Sequence, residues 1–268
     1  MNSQNKSVSK FGAFYVAEAR IRNMMKWAGI ILFAAVINPT LYLVSIGIGV
    51  GSLVNANQGA NGIGGVSYLT FLAPALLASA AIQGSSDEVI FPTMAGFKWY
   101  KTFFGMRATP LTARQISLGV FMGAMVRTVI SVVIYWIVLY FFGALESDSA
   151  WLAMPAALFA GAAMSAVMLA LAGKIENEDF FFTIVGRFIM IPMFLFSGTF
   201  YPLSQMPIFL QFFGWISPLW HATELGRYLT YDYPLGGLQV LMHVSVLGLM
   251  IVFGLTASFR IFAARLEK

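Results

Sequence analysis

The chain has 268 residues, 59% of them hydrophobic and 10% charged, with a mean hydropathy of +0.79. Soluble domains carry about 25% charged residues, so a soluble enzyme or binding module is excluded. A single bundle of membrane spans is expected over residues 1–268. The absence of cysteine removes disulfides and thiol catalysis. The net charge of +5 fits either an acidic partner such as nucleic acid or basic cytoplasmic loops, and a membrane protein favours the loops.

Residues 1–10 are polar and lack the apolar core and cleavage site of a signal peptide, so the first span is expected to stay as an anchor. Over residues 11–27, Phe14, Ala17, Ile21, Met24 and Met25 recur at helical spacing. Glu18, Arg20, Arg22, Asn23 and Lys26 take the other positions. That pattern predicts a helix lying in the membrane interface rather than a frayed tail. Residues 30–50 form the first span, kinked at Asn38-Pro39, and a loop rich in Gly and Asn follows at 55–65. The second span, 66–81, contains Pro74, and Ser85, Ser86, Asp87 and Glu88 are expected to end it in water.

Residues 91–115 are amphipathic and basic, too polar to span and too apolar for a plain linker. The third span, 116–142, carries Gly119 and Gly123 as a small-residue packing face. Glu146 and Asp148 mark an acidic loop before the fourth span, 151–173, which is rich in Ala and Gly. A polar loop at 174–179 leads to the fifth span, 180–197, and the sixth covers 238–262. These lengths predict an all-α membrane protein of six spans.

Between the last two spans lies an oily stretch, 196–227, broken by Gly198, Pro202, Pro207, Gly214 and Pro218. A continuous span needs about 20 apolar residues, and prolines interrupt helices. Irregular backbone at membrane depth survives only where protein or a wet cavity surrounds it, so this stretch is expected to dip in and return. With the N-terminus inside, every Lys and Arg falls on the cytoplasmic side except Arg227, in an outer loop, and Arg127 and Arg187, inside spans. Both termini are therefore expected in the cytoplasm and the broken stretch on the outer side.

The sequence contains no phosphate-cradling, zinc-protease or nucleophile-elbow motif, so no catalytic or metal-binding residue is expected. His221 and Glu224 share a helical spacing that permits a general-base pair, a metal half-site or a hydrogen bond bracing the turn, and two ligands are too few for structural zinc. His243 has only apolar neighbours and reads as packed or hydrogen-bonded within a helix. Arg127 and Arg187 lie inside spans, where a charge is costly. Arg187 either snorkels to the inner surface or pairs, and Arg127 adds a third option, an anionic substrate group. In the inner loop, Phe97, Trp99, Tyr100, Phe103 and Phe104 interleave with Lys98 and Lys101. That fits a surface helix or a docking helix for a cytoplasmic protein.

The span order, this basic loop and the block Ser197, Gly198, Tyr201, Pro202, Met206, Pro207, Pro218, Leu219, His221 and Arg227 resemble the ABC type-2 permeases, or type V ABC exporters. Within that group the chain is most similar to permeases of drug-resistance and nodulation-factor exporters, with polysaccharide exporters further off. Thr109-Pro110-Leu111 followed by Arg114 also resembles a family segment. The resemblance implies an N-terminal interfacial helix at 11–27, a cytoplasmic coupling helix near 96–106 and outer re-entrant helices over 202–229. It also implies two permeases, here two copies of this chain, working with two separate ATPase subunits that hold ATP and Mg. Phe97, Lys98, Trp99, Lys101, Phe104 and Arg107 would then contact the ATPase. Gly198, Tyr201, Pro202, Pro207, Pro218, His221 and Glu224 would form an outer gate. The coupling segment departs from the family in being basic after Glu88 rather than acidic.

The expected function is the permease of an ATP-driven exporter for an amphipathic, drug-like or lipid-linked molecule, in the cytoplasmic membrane of a prokaryote. Two alternatives are an ion-driven secondary transporter, for which membrane-embedded acids are nearly absent, and a non-transporting scaffold.

Overall fold

A computed structural model describes residues 3–58, 63, 65–176 and 180–267, and all of its regular elements are helical. The chain runs α1 (Ser3–Met25), α2 (Ala28–Tyr42), a wide π turn (Leu43–Val50) and α3 (Gly51–Gln58). α4 (Tyr68–Met94) continues through a second π turn (Ala95–Trp99) to the short α5 (Thr102–Arg107). α6 (Ala113–Phe141) and α7 (Ala153–Lys174) form the next pair. Then come α8 (Phe181–Ile184), a third π turn (Val185–Met190), α9 (Ile191–Phe196), α10 (Ile208–Trp215), α11 (Pro218–Tyr231) and α12 (Gly237–Leu266).

α4 and α7 form the centre. In their most apolar stretches, 72% and 78% of the residues are buried, against 11% for Ala28–Val54 and 17% for α12. Small residues make this possible. Cβ atoms at Gly161 and Gly254 would lie 3.0 Å from the Ala81 carbonyl oxygen and 2.5 Å from the Ala166 carbonyl carbon. Without a hydrophobic drive between helices in lipid, such backbone proximity supplies the dispersion contact that holds a bundle. α6, α11 and α12 surround the central pair. The Ser85 hydroxyl donates to the Ile82 and Gly161 carbonyls at 3.0 and 2.9 Å, and the Ser117 and Ser258 hydroxyls pair at 2.9 Å. Helix starts are capped as the sequence allows. Ser67 accepts from the Thr70 amide, and Thr112 and Gln115 form a reciprocal box at the start of α6.

Five helices among the described residues are long and apolar enough to cross a membrane: Ala28–Val54, Tyr68–Trp99, Ala113–Phe141, Ala150–Lys174 and Gly237–Leu266. The fifth span, expected over 180–197, is the helical run Phe181–Phe196, which falls short of that length because Ser197 and Gly198, the latter at φ 71°, end the helix. Ser85 to Glu88 do not end the second span in water. They lie within α4, where Ser85 and Ser86 are buried. The basic segment 91–115 is not one amphipathic helix either, since Phe91 to Trp99 prolong α4 and only Thr102–Arg107 forms a separate turn. The expected loop at 55–65 begins later, because α3 runs to Gln58. Residues 59–62, 64 and 177–179 of the two expected polar loops lie outside the described residues.

α1 does not stand apart as a surface helix. It runs parallel to α6, with Gly119 against Val16 and Gly123 against Arg20, where added Cβ atoms would approach to 2.5 and 2.9 Å. The small-residue face of α6 therefore receives α1 rather than another span.

Candidate functional site

Three places in the bundle concentrate chemistry. At the basic end, α4 with its π turn is 32 residues long, about 48 Å, and α6 at 29 residues is about 43 Å. Both exceed the roughly 30 Å hydrocarbon core. Their shared tip carries Lys98, Trp99, Tyr100, Lys101, Phe104 and Arg107 exposed, with Lys101 at φ 51° turning the chain. Phe97 is different: it is buried beneath this tip, edge-on to Phe103 at 4.9 Å and Phe262 at 4.8 Å, with the Arg265 guanidinium 4.2 Å over its ring. Arg265 also donates to the Gly173 and Ile175 carbonyls, closing the end of α7. Phe97 thus supports the tip and Trp99, Tyr100 and Phe104 form its outer surface.

The second place is an ion cluster. Glu88 on α4 accepts from Arg127 on α6 at 2.8 Å and from Arg20 on α1 at 3.3 Å, and its carbonyl takes a further Arg20 bond at 2.8 Å. One carboxylate thereby joins three helices. Of the readings open to Arg127, the structure shows the carboxylate on a neighbouring helix. Arg187, by contrast, is exposed in the π turn Val185–Met190.

The third place is the broken stretch. Ser217 caps α11 by accepting from the Leu219 amide, takes a 2.7 Å bond from Ser197, and Pro218 occupies the first helical turn. Pro207 stands one place earlier, as the residue just before α10, and Gly214 admits Leu203, whose side chain would lie 2.6 Å from an added Cβ. Tyr201 is exposed beside the short turn Leu203–Gln205 that follows Pro202. Arg227, expected in an outer loop, is instead fully buried in α11. It donates to Glu224 at 2.9 Å and the Gly198 carbonyl at 2.8 Å, and stacks 3.7 Å from the Phe71 ring centre. The expected contact of His221 with Glu224 is absent because Arg227, a full charge at the same spacing, takes the carboxylate. His221 pairs instead with His243 of α12, Nδ1 to Nδ1 at 2.8 Å, while its Nε2 meets the Trp215 carbonyl at 3.0 Å. A carbonyl only accepts, so His221 Nε2 donates to it, and with both rings neutral His243 Nδ1 donates to His221 Nδ1.

Arg20, Glu88, Arg227 and His243 thus make pairings that the linear reading of these residues did not give. Only Arg227 left a signal, the Glu-x-x-Arg spacing within one helix.

Apolar helices packed through small residues around a few paired charges define a helical, multi-pass membrane protein. Residues 13–231 match the family described as ABC-2 type transporter, and the chain belongs to that family of membrane permeases. It is 26% identical to Nodulation protein J of Neorhizobium galegae over 250 residues, 92% of each chain. Nodulation protein J of Rhizobium meliloti (strain 1021) is 28% identical over 84% of each chain. The Inner membrane transport permease YadH of Escherichia coli (strain K12) is 24% identical over 83% of this chain and 82% of its own. Permeases of this family normally work with a partner ATPase.

Proposed function

We propose that this chain is the membrane subunit of an ATP-driven exporter that moves an amphipathic, drug-like or lipid-linked molecule outward. Two copies of the chain work with two ATPase subunits, and ATP and Mg²⁺ are held by the ATPase. The basic end faces the cytoplasm with both termini, and the broken stretch faces outward. The observation that supports this reading is that α4 with its π turn and α6 are longer than the hydrocarbon core, and that Lys98, Trp99, Tyr100, Lys101, Phe104 and Arg107 are exposed at the tip they share, where an ATPase would dock. Interfaces favour such aromatic and Arg anchors.

ATP-driven closure of the ATPases pushes this tip, and α4 carries the push to Pro74, which packs against Gly226 of α11. The outer corner formed by Gly198, Tyr201, Pro202, Pro207, Pro218, His221 and Glu224 then opens. The relatives' printed names, a nodulation protein and an inner membrane transport permease, accord with this reading.

Affinity capture of the tagged chain from its native membrane tests it. A co-purifying ATPase is expected, and it is lost when Lys98, Lys101 and Arg107 are all changed to Glu. Capture of the chain without any ATPase sinks the reading. Gly198→Val is expected to impair export while leaving ATPase association intact, and unchanged export removes this corner from the gate.

A further inference from the structure

The chain has two histidines, and α11 and α12 bring them together. His221 lies in the first turn of α11 and His243 in the second turn of α12, and both are buried. Trp220 packs against both rings, its centroid 4.9 Å from that of His221 and 4.8 Å from that of His243. With the Trp215 carbonyl at the end of α10, the two rings join three helices at one point.

The hydrogen bonds fix where protons go. His221 Nε2 donates to the Trp215 carbonyl and His221 Nδ1 accepts from His243 Nδ1, so both nitrogens of His221 are used. His243 Nε2 keeps a lone pair that makes no hydrogen bond among the described residues. A first proton therefore goes to His243 Nε2 and leaves both bonds in place. It strengthens the pair, because charge-assisted hydrogen bonds are about twice as strong as neutral ones. It also sets an imidazolium within cation–π distance of Trp220. A second proton has only His221 Nδ1 to go to. That atom is the acceptor of the pair, so the bond is lost and two like charges face each other with ring centres 5.0 Å apart.

The surroundings add no net charge. On α11, Glu224 lies one turn beyond His221 but is neutralised by Arg227 at 2.9 Å, and Asp232 is exposed at the far end. On α12 the next charged residue after His243 is Arg260, about 26 Å further along. α10 and the turn Ala150–Leu152 packed on α11 carry none. Lys174 of α7 and Asp87 and Glu88 of α4 sit toward the opposite ends of their helices. Tyr228 and Tyr231 stay neutral, since a phenol ionises near pH 10.

We propose that His221 and His243 form a proton-binding latch between the broken stretch and α12, which binds one proton at His243 Nε2 while closed and opens on the second. The latch needs only this joint and does not depend on what the chain exports.

Because the chain has no other histidine, 15N-histidine labelling of the full-length chain in lipid nanodiscs reports these two rings alone. Between about pH 8 and about pH 4, a range that spans the ordinary histidine pKa, His243 Nε2 is expected to gain its proton first. His221 Nδ1 is expected to follow more than about one pH unit lower. The chain also lacks cysteine, so spin labels attach only at Tyr228→Cys and Val244→Cys, which line one groove of α11 and α12. Their distance is expected to hold through the first step and lengthen at the second. In His243→Phe, with a ring of similar size, the distance is expected to be independent of pH. A single shared midpoint, His221 titrating first, or no titration down to about pH 4 overturns the proposal. So does a distance that lengthens at the first step, never lengthens, or lengthens equally in His243→Phe. Should His243→Phe fail to fold, the order of protonation in the unmodified chain decides alone.

Discussion

The two ion clusters use the same residue types and do different work. Arg227 and Glu224 sit three residues apart on one helix, with side chains 1% and 10% exposed. Their separation is fixed by α11 itself, so the pair does not sense how helices move. What it holds is the corner, through the Arg227 bond to the Gly198 carbonyl. Glu88 instead reaches Arg20 and Arg127, 68 and 39 residues away, with side chains 16% to 21% exposed. It exists only while α1, α4 and α6 keep their positions. A local pair stabilises a shape, whereas a distributed one reports an arrangement.

The comparison breaks first at Arg227. Arg227→Leu strands a buried carboxylate, a loss of about 3–5 kcal/mol, and is expected to lower the melting temperature in detergent by roughly 10 °C. A fall below about 3 °C would show that Glu224 finds water and that the corner is not sealed. The double variant Arg227→Leu with Glu224→Leu is expected to regain more than half of the loss, since an apolar pair of similar volume replaces a buried ion pair at little cost.

Next is Gly119→Leu, which drives a side chain into Val16. It is expected to cost about 1–3 kcal/mol and to speed tryptic cleavage at Arg20 and Arg22 as α1 lifts from α6. Gly29→Ala, with nothing within 4 Å, is expected to change neither.

Glu88→Gln removes the charge but keeps the shape. It is expected to cost about 1–2 kcal/mol and to broaden the α1–α4 distance measured between paired spin labels. Arg227→Leu is expected to leave that distance alone, and equal broadening in both variants would show that the two clusters answer to the same helix movement. The smallest effect belongs to Arg22→Ala. Its pair with Glu18 is exposed, and no measurable change in melting is expected.

Much of this bundle was legible from the chain. Apolar run lengths located the long helices, prolines and glycines located the broken stretch, and the small residues of α7 announced close packing. The readings that failed at the site mostly concerned charges, and those failed for one physical reason. Ser-Ser-Asp-Glu at 85–88 looks like a wet helix end because polar residues usually are. Nothing local reveals that Arg20 and Arg127 arrive to neutralise Glu88. Arg227 looked like a loop cation because the broken stretch hid that α11 is a complete, capped helix. His221 and Glu224 share a face as their spacing implied, but spacing does not rank competitors, and a guanidinium outbids a neutral imidazole for a carboxylate. Phe97 shows the same limit for apolar groups, since alternation with lysines says nothing of Phe262 folding beneath it.

The π turn Val185–Met190 has a consequence for how this protein can change over generations. Such a turn holds one residue more than the regular ladder, so deleting Gly186 would restore an ordinary helix and leave α9 in its present register against α8. Met193 would keep its buried place. The same deletion inside α9 would instead rotate everything after it by about 100°, so the turn is the place where this segment tolerates a one-codon change in length.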